Sequence, residues 1–266
     1  MKKILFTSDL DRTLIFSERT KLADRAYMCI EQLDGKDLSY MSRVTYDRLM
    51  DLAQQIEFVP VTTRSQAQYE RITAFQQHQI NPTYAVTSNG GVILRNGVVD
   101  EEWKQQIEQK MQQLPLSFEQ VPTHFATLFE AAFTLRTHAV ENRFYVVIVQ
   151  PEKVSPEHVR AMKVQLEAQG WTCYLQGKKW YVLPRFLTKG AAVQHIKSLH
   201  SYEWHAAAGD SQMDLSMLEI AHKSFIPQHA ELANPNVVTH RLPIMVEKSS
   251  DFSEACLQYI ATYSTK

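Results

Sequence analysis

The sequence ILFTSDLDRT, residues 4–13, sets the architecture that we predict for the rest of the chain. Its first four residues form an apolar run of strand type, which ends abruptly in Ser8-Asp9-Leu10-Asp11. A buried strand that runs straight into carboxylates is typical of the carboxyl end of a parallel strand, where active sites gather. We therefore expect an α/β protein with a candidate site at this strand end.

An alternation of strands and helices follows this first strand. The predicted segments, in chain order, are a hairpin at 27–42 around the turn Asp34-Gly35, a helix at 44–56, a strand at 58–61, a helix at 66–78 and a strand at 84–87. Helical spacing of apolar residues marks the first helix, and the turn dipeptide marks the hairpin. The order strand, helix, strand predicts a parallel sheet with right-handed crossovers.

The middle of the chain breaks this rhythm. The predicted segments here are helices at 100–113 and 155–168 and strands at 132–139, 143–150, 172–176 and 179–183. After Pro184 the first pattern resumes, with helices at 189–200, 212–220 and 251–263 and strands at 204–208, 223–226 and near 236–240. We predict a discontinuous Rossmann-like core, residues 1–87 and 186–266, that carries an inserted α+β domain at 88–185.

Composition narrows the class of protein. Hydrophobic residues make up 44% and charged residues 21%, the balance of a globular protein with a core of its own. A formal charge of -1 gives no global field toward nucleic acid or an anionic membrane, so neither is expected as a partner. Three scattered cysteines, a leading apolar run too short for a signal peptide and the lack of a span of about 20 apolar residues predict a cytoplasmic protein.

The first candidate site is the pair Asp9 and Asp11. Side chains two residues apart on extended backbone point the same way, so the two carboxylates repel each other unless a cation lies between them. Mg²⁺ prefers oxygen ligands and suits two carboxylates plus a phosphate. One carboxylate could attack phosphorus while the other moves a proton. The plain alternative is a solvated turn, because this tripeptide pattern is common.

Further candidates follow other predicted strands or start helices. Thr62-Thr63-Arg64 places hydroxyls where a helix begins and could hold a phosphate, or could simply cap that helix. A lysine at a helix start, Lys189, opposes the helix dipole unless it serves an anion, although it could be a surface residue. Asp210 could bind a metal with Asp214 on the same helical face, or could be an N-cap.

Together these segments resemble the haloacid dehalogenase (HAD) superfamily of phosphatases. The matching stretches are DLDRT at 9–13, VTTR at 61–64, TKG at 188–190 and GDSQMD at 209–214, with SNGG at 88–91 similar to the start of the cap in the Cof-type subgroup. The resemblance covers both ends of the chain. It implies a Rossmann-like core with an α/β cap inserted before the lysine motif, and Mg²⁺ as the cofactor.

The resemblance also implies a role for each matching residue. The implied roles are Asp9 as nucleophile, Asp11 as general acid/base, Thr62 and Thr63 as phosphate-binding residues, Lys189 as the cation beside the nucleophile and the phosphoryl group, Asp9, Asp210 and the backbone carbonyl of Asp11 as metal ligands, and Asp214 and Thr13 as supporting residues. Fixed cations and donors of this kind suit the dense negative charge of a phosphoryl group.

Three positions depart from the family pattern. Arg12 stands where a small residue is usual, Thr63 stands for glycine and Met213 stands for asparagine. We expect Arg12 either to point away at the surface or to contact substrate. Specificity should come from the insert and the domain junction, and the candidate substrate contacts are Asn89, Arg64, Arg136, Lys178 and Lys179, although the two lysines could be solvated turn residues.

The sequence thus predicts a Mg²⁺-dependent phosphomonoester hydrolase that acts on a small phosphorylated metabolite, of the sugar-phosphate class, through an aspartyl-phosphate. Two alternatives stay open. A phosphotransferase or phosphomutase would use the same core, and a catalytically idle metabolite-binding module would share its fold. The sequence carries no indication of the oligomeric state.

Overall fold

The computed structural model describes residues 3–76, 80–235 and 242–264. Its strands, in chain order, are β1 (Ile4–Ser8), β2 (Tyr27–Leu33), β3 (Lys36–Ser42), β4 (Glu57–Pro60), β5 (Tyr84–Thr87), β6 (Val92–Arg95), β7 (Val98–Val99), β8 (Thr134–Val140), β9 (Phe144–Val149), β10 (Trp171–Gln176), β11 (Lys179–Pro184), β12 (Trp204–Ala208) and β13 (Lys223–Phe225). The α-helices are α1 (Arg43–Ala53), α2 (Gln66–Tyr69), α3 (Thr73–Gln76), α4 (Glu101–Gln112), α5 (Val121–His124), α6 (Ala126–Phe129), α7 (Pro156–Glu167), α8 (Lys189–Ser198), α9 (Leu215–Leu218) and α10 (Ser249–Ser264).

The chain divides into two compact units. The first comprises Met1–Asp100 and Lys189–Lys266, and the second comprises Glu101–Thr188. Residues 88–100, which the sequence analysis had assigned to the insert, therefore belong with the first unit, and residues 186–188 belong with the second. The reason for the first difference is that β5 continues into an antiparallel sheet with β6 and β7, which keeps this stretch with the core strands.

The first unit is built on a parallel sheet. Its strands lie in the order β13-β12-β1-β4, and every neighbouring pair is parallel. A parallel bridge between Val61 and Val86 adds β5 beside β4. All five residues of β1 are buried, as expected for a central strand with both faces covered. The predicted α/β architecture and parallel core sheet are confirmed.

Apolar side chains from the sheet and its helices form a hydrophobic core in this unit. The rings of Phe6 and Phe58, on neighbouring strands, are tilted with centroids 5.6 Å apart, and α1 packs against α10 in the same core. One buried polar pair lies within the sheet, where Thr7 Oγ1 and His205 Nε2 are 2.9 Å apart. Burial lowers the pKa of His205 to about 3, so the ring is neutral near neutral pH.

The predicted hairpin at 27–42 is confirmed as β2 and β3, with Asp34 and Gly35 at positive φ in its turn. The helix predicted at 66–78 is instead two short helices, α2 and α3, and residues 77–78 lie outside the described part. Likewise, the helix predicted at 212–220 begins as a 3-10 turn at Gln212–Asp214 before α9. The strand predicted near 236–240 falls on residues that the structure does not describe.

The second unit has its own antiparallel sheet and its own core. The strand order is β10-β11-β9-β8, and α7 packs beside β10. Two tryptophans, Trp171 and Trp180, are fully buried in the core of this unit. The sequence analysis did not predict the short helices α5 and α6. None of the described helices in either unit is long and apolar enough to cross a membrane.

Candidate active site

The candidate site lies at the carboxyl end of the parallel sheet. Asp9 directly follows β1, Thr62 lies just beyond β4, and Asp210 lies just beyond β12. Backbone hydrogen bonds hold these strand ends together, since Asp9 N donates to Ala208 O at 2.9 Å and Val61 N donates to Ser8 O at 2.8 Å. Parallel pairing thus brings three segments that are far apart in sequence to one edge.

Asp9 lies at the centre of this edge and is only 6% exposed. Its Oδ1 accepts a bond from Lys189 Nζ at 2.5 Å, and its Oδ2 accepts one from Thr13 Oγ1 at 3.3 Å. The tight loop after Asp9 explains the second contact, because the carbonyl of Leu10 accepts the backbone amide of Thr13 at 3.1 Å. Thr13, predicted as a supporting residue, therefore touches the nucleophile candidate directly.

Lys189 begins α8 and is buried, with an exposed fraction of 1%. Besides Asp9, its ammonium donates to Asp214 Oδ1 at 2.6 Å. The other oxygen of Asp214 accepts from Asp210 N and from both the backbone and the hydroxyl of Ser211, at 2.8–3.0 Å. Asp214 therefore fixes the lysine on one side and the turn that carries Asp210 on the other.

Gly209 permits the close approach of Asp214 to this turn. A Cβ at position 209 would lie 2.5 Å from Asp214 Cβ and 2.7 Å from Asp214 Cγ, which is too close for any side chain. Gly209 is not among the residues with positive φ. The space beside Asp214, and not a positive φ, is what requires glycine here.

Arg12 forms an ion pair with the Asp210 carboxylate, a contact that was not predicted from the sequence. Its Nε donates to Asp210 Oδ2 at 2.8 Å, and its NH2 donates to His229 O at 2.7 Å. Arg12 has a φ of 66°, and its own carbonyl lies 2.8 Å from His229 Nε2. The half-exposed side chain therefore does not point away from the site, and its contact with substrate stays a prediction.

Burial and crowding shift the pKa values of these groups. Burial is the largest effect on Asp9 and raises its pKa to about 7, against the lowering effect of Lys189. Burial and then the carboxylates of Asp9 and Asp214 raise the pKa of Asp210 well above its ordinary value, against Arg12 and Lys189. For Lys189, burial opposes the charge, but Asp214 and Asp9 outweigh it and raise its pKa.

The same crowding fits a divalent cation. Oxygens of Asp9, Asp210 and Asp214 lie within 4.8 Å of one another, and all three residues are buried. Three carboxylates here face two cationic groups, Lys189 and Arg12, which leaves one negative charge in excess. Hard oxygen donors with excess negative charge are the environment that Mg²⁺ prefers. Asp214 was not predicted as part of this cluster, and the backbone carbonyl of Asp11 stays a predicted ligand.

The threonine segment, Thr62 and Thr63, lies beside this cluster at the end of the neighbouring strand β4. Thr62 is fully buried, and its Oγ1 accepts from Arg64 N at 3.1 Å. Thr63 is only partly buried. Asn89 N donates to Thr62 O at 3.0 Å, and Asn89 itself is buried in the left-handed conformation with φ 56°. Asn89 therefore supports the threonine segment from within the first unit.

Asp11 and Arg64 form an ion pair in the structure. Arg64 Nε and NH2 donate to the two oxygens of Asp11 at 2.8 and 2.9 Å. The other end of the same guanidinium donates to Glu31 Oε2 at 2.7 Å. Glu31 was not predicted as a site residue, because nothing in a predicted hairpin marks one glutamate as buried.

The remaining predicted substrate contacts belong to the second unit. Arg136 and Lys179 both pair with Ile148 across neighbouring strands, so they lie on the same face of that sheet, and both are exposed. Lys178 lies in the exposed turn before β11, where its carbonyl accepts from Val149 N at 2.9 Å. Their roles stay predictions.

Comparisons with known proteins agree with this arrangement. Residues 2–233 match the family described as sucrose-6F-phosphate phosphohydrolase. No curated protein matches the sequence significantly. Among solved structures, a sucrose-phosphatase from Synechocystis sp. PCC6803, in complex with sucrose and phosphate, is similar with a TM-score of 0.68 and 17% identity over 99% of this chain and 98% of that one.

Two further structures show the same fold. A haloacid dehalogenase-like hydrolase from Bacteroides thetaiotaomicron is 13% identical over 97% of this chain and 100% of its own, with a TM-score of 0.59. A trehalose-6-phosphate phosphatase related protein is 13% identical over 98% of both chains, with a TM-score of 0.58. The fold is therefore a HAD-like core with an inserted cap domain, as the resemblance implied.

Proposed function

This chain belongs to the sucrose-6F-phosphate phosphohydrolase family of HAD-type phosphatases, and from that membership we propose that it hydrolyses a sugar phosphate through an aspartyl-phosphate on Asp9. The observation that carries the proposal is the position of Lys189, which is buried and donates to both Asp9 and Asp214. A carboxylate held this close to a fixed ammonium suits attack on an anionic phosphoryl group, because the cation offsets the repulsion between the two anions.

The proposed reaction has two steps. A carboxylate oxygen of Asp9 bonds to phosphorus while the bond between phosphorus and the sugar oxygen breaks, and Asp11 gives its proton to that leaving oxygen. Water then attacks phosphorus, Asp11 takes a proton from the water, and the bond between phosphorus and Asp9 breaks. The products are the free sugar and inorganic phosphate, with Asp9 and Asp11 restored.

Other residues bind the phosphoryl group and offset its charge. Lys189 faces the developing negative charge from within the core, and the hydroxyl of Thr62, with Thr63 beside it, supplies donors at the neighbouring strand end. Asp9 and Asp210, with the carbonyl of Asp11, would hold Mg²⁺, and Asp214 would orient Lys189. The cation would draw the phosphoryl group toward Asp9 and stabilise its charge.

The sugar-phosphate class is proposed from the relatives. The family is named for sucrose-6F-phosphate, and a similar structure contains sucrose and phosphate. A sugar offers hydroxyl groups to polar side chains. Our candidates for such contacts are Arg136 and Lys179, which lie on the same face of the sheet in the second unit. We retain the cytoplasm as the predicted location.

Release of inorganic phosphate tests this function. We expect the purified protein to release phosphate from at least one sugar phosphate in a panel that includes sucrose-6F-phosphate, trehalose 6-phosphate and hexose phosphates. Release should require Mg²⁺ and stop when EDTA is added, because the buried carboxylates need a cation before a second anion can approach. Mg²⁺ alone should also raise the thermal unfolding midpoint, since it binds the folded state.

The alternatives give different results in the same assay. Isomerised sugar phosphate without net phosphate release would indicate a mutase. A complete lack of turnover across the panel, with ligand-induced stabilisation, would indicate an idle binding module. Either result would reject hydrolysis as the function.

A further inference from the structure

The β2–β3 hairpin carries a buried carboxylate outside the catalytic motifs. Glu31 is only 2% exposed, although hairpin positions near it are open to solvent. Its Oε2 accepts from Ser39 Oγ at 2.6 Å and from Arg64 NH1 at 2.7 Å, and its Oε1 accepts two bonds from Arg71 at 3.0 and 3.2 Å. Burying a charge is costly unless it is paired, and Glu31 is paired on both oxygens.

Arg64 connects this carboxylate with the candidate acid/base. One end of its guanidinium donates a hydrogen bond to Glu31, and the Nε–NH2 edge donates hydrogen bonds to both oxygens of Asp11. NH2 also donates to Ser39 Oγ at 3.1 Å. Burial works against the charge of Arg64, but the ion pairs with Asp11 and Glu31 outweigh it and raise the pKa of Arg64. The guanidinium is therefore a permanently charged group, fixed from the hairpin side.

Asp11 is far more exposed than Asp9, Asp210 and Asp214, so a partner that fixes its orientation matters for its role. Its side chain is 52% exposed, and an exposed carboxylate samples several rotamers. A pair of hydrogen bonds from a planar guanidinium fixes both the position and the plane of a carboxylate. Effective proton transfer depends on that geometry.

We propose that Glu31 and Arg64 are positioning residues for Asp11, so that the β2–β3 hairpin sets the geometry of proton transfer to the leaving oxygen. The proposal rests on the proposed function, in which Asp11 moves that proton. Glu31 and Ser39 anchor Arg64, and Arg64 then presents Asp11 to the sugar oxygen. In the form that donates, one oxygen of Asp11 carries the proton in place of its hydrogen bond from Arg64, and the other oxygen keeps its bond and so the orientation.

The test compares two leaving groups. A sugar oxygen needs a proton as it leaves, whereas p-nitrophenolate leaves without one. For Arg64→Met we expect kcat on the best sugar phosphate to fall by about 30-fold or more, within the range of general acid catalysis. On p-nitrophenyl phosphate kcat should stay within about 3-fold, and KM should change little on both substrates. Glu31→Gln should show the same selectivity with a smaller loss, about 10-fold.

Arg71→Met is the matched control, because Arg71 bonds Glu31 without reaching Asp11. It should affect both leaving groups alike. If Arg64→Met or Glu31→Gln proves unfolded by thermal melting, Ser39→Ala keeps every charge and should give the same selectivity with a loss of about 3-fold.

The outcomes separate this inference from the proposed function. Equal losses on both substrates in the Arg64 and Glu31 variants, or a faster Arg64→Met enzyme, would overturn the positioning role and leave the phosphatase in place. A wild-type protein that hydrolyses neither substrate would remove the proposed function itself and the inference with it.

Discussion

The Asp9→Asn variant is expected to lose at least about 10,000-fold in kcat, the scale seen when a covalent nucleophile is removed. An amide cannot attack phosphorus as a carboxylate does. Asparagine nevertheless keeps the shape of the side chain, and its oxygen can still accept from Lys189 or Thr13. The loss should therefore appear in the chemistry while substrate binding persists.

The same variant should be at least as stable as the wild-type protein without metal. Burial raises the pKa of Asp9 to about 7, which means that its charged form is disfavoured in the fold. Asparagine removes this charge and leaves two carboxylates facing Lys189 and Arg12. Phosphate release and thermal melting measure the two effects, and Asp51→Asn on the exposed side of α1 serves as the control. A wild-type rate in Asp9→Asn would show that another group attacks phosphorus.

The Lys189→Met variant is expected to lose both activity and stability. Without the ammonium, Asp9 and Asp214 remain buried with no cation between them, and breaking a buried pair in this way costs about 3–5 kcal/mol. The folded Asp9 already binds its proton more tightly than in the unfolded chain, so the free energy of unfolding falls as pH rises from about 4 toward 7. Loss of Lys189 removes an effect that lowers the pKa of Asp9, so this fall should continue to higher pH.

A double variant separates the two consequences. Lys189→Met with Asp214→Asn removes one cation and one carboxylate, so we expect most of the lost stability to return. Activity should stay about 1,000-fold or more below wild type, because the phosphoryl group still lacks its cation. Chemical denaturation across pH and phosphate release are the measurements. Recovery of activity in the double variant would show that Lys189 serves only as a structural counter-ion.

The sequence was sufficient to predict which side chains gather at the carboxyl edge of the sheet, because parallel strands impose that arrangement. Once β1, β4 and β12 are assigned, their carboxyl ends must meet, and Asp9, Thr62 and Asp210 follow those ends directly. The start of α8 likewise places Lys189 in the same region. The turn dipeptide Asp34-Gly35 was sufficient to predict the hairpin at 27–42.

The ion pairs around this edge could not be predicted in the same way. The register of the hairpin shifts on both sides of Glu31, so strict alternation fails at that residue and does not reveal that it is buried. Arg12 reaches Asp210 from a left-handed backbone position that its sequence neighbours do not mark. The first unit extends to Asp100 because β5 pairs with the next strand, β6, and neither β6 nor this pairing was predicted from the sequence.

Reductive trapping of the covalent intermediate tests the central claim most directly. Borohydride reduces an acyl phosphate to an alcohol, so an aspartyl-phosphate becomes homoserine that peptide mass spectrometry can locate. We predict that protein quenched during turnover with its sugar phosphate and Mg²⁺ contains homoserine at position 9, and that the Asp9→Asn variant contains none. Homoserine at another aspartate, or none at position 9 while phosphate release proceeds, would contradict Asp9 as the nucleophile.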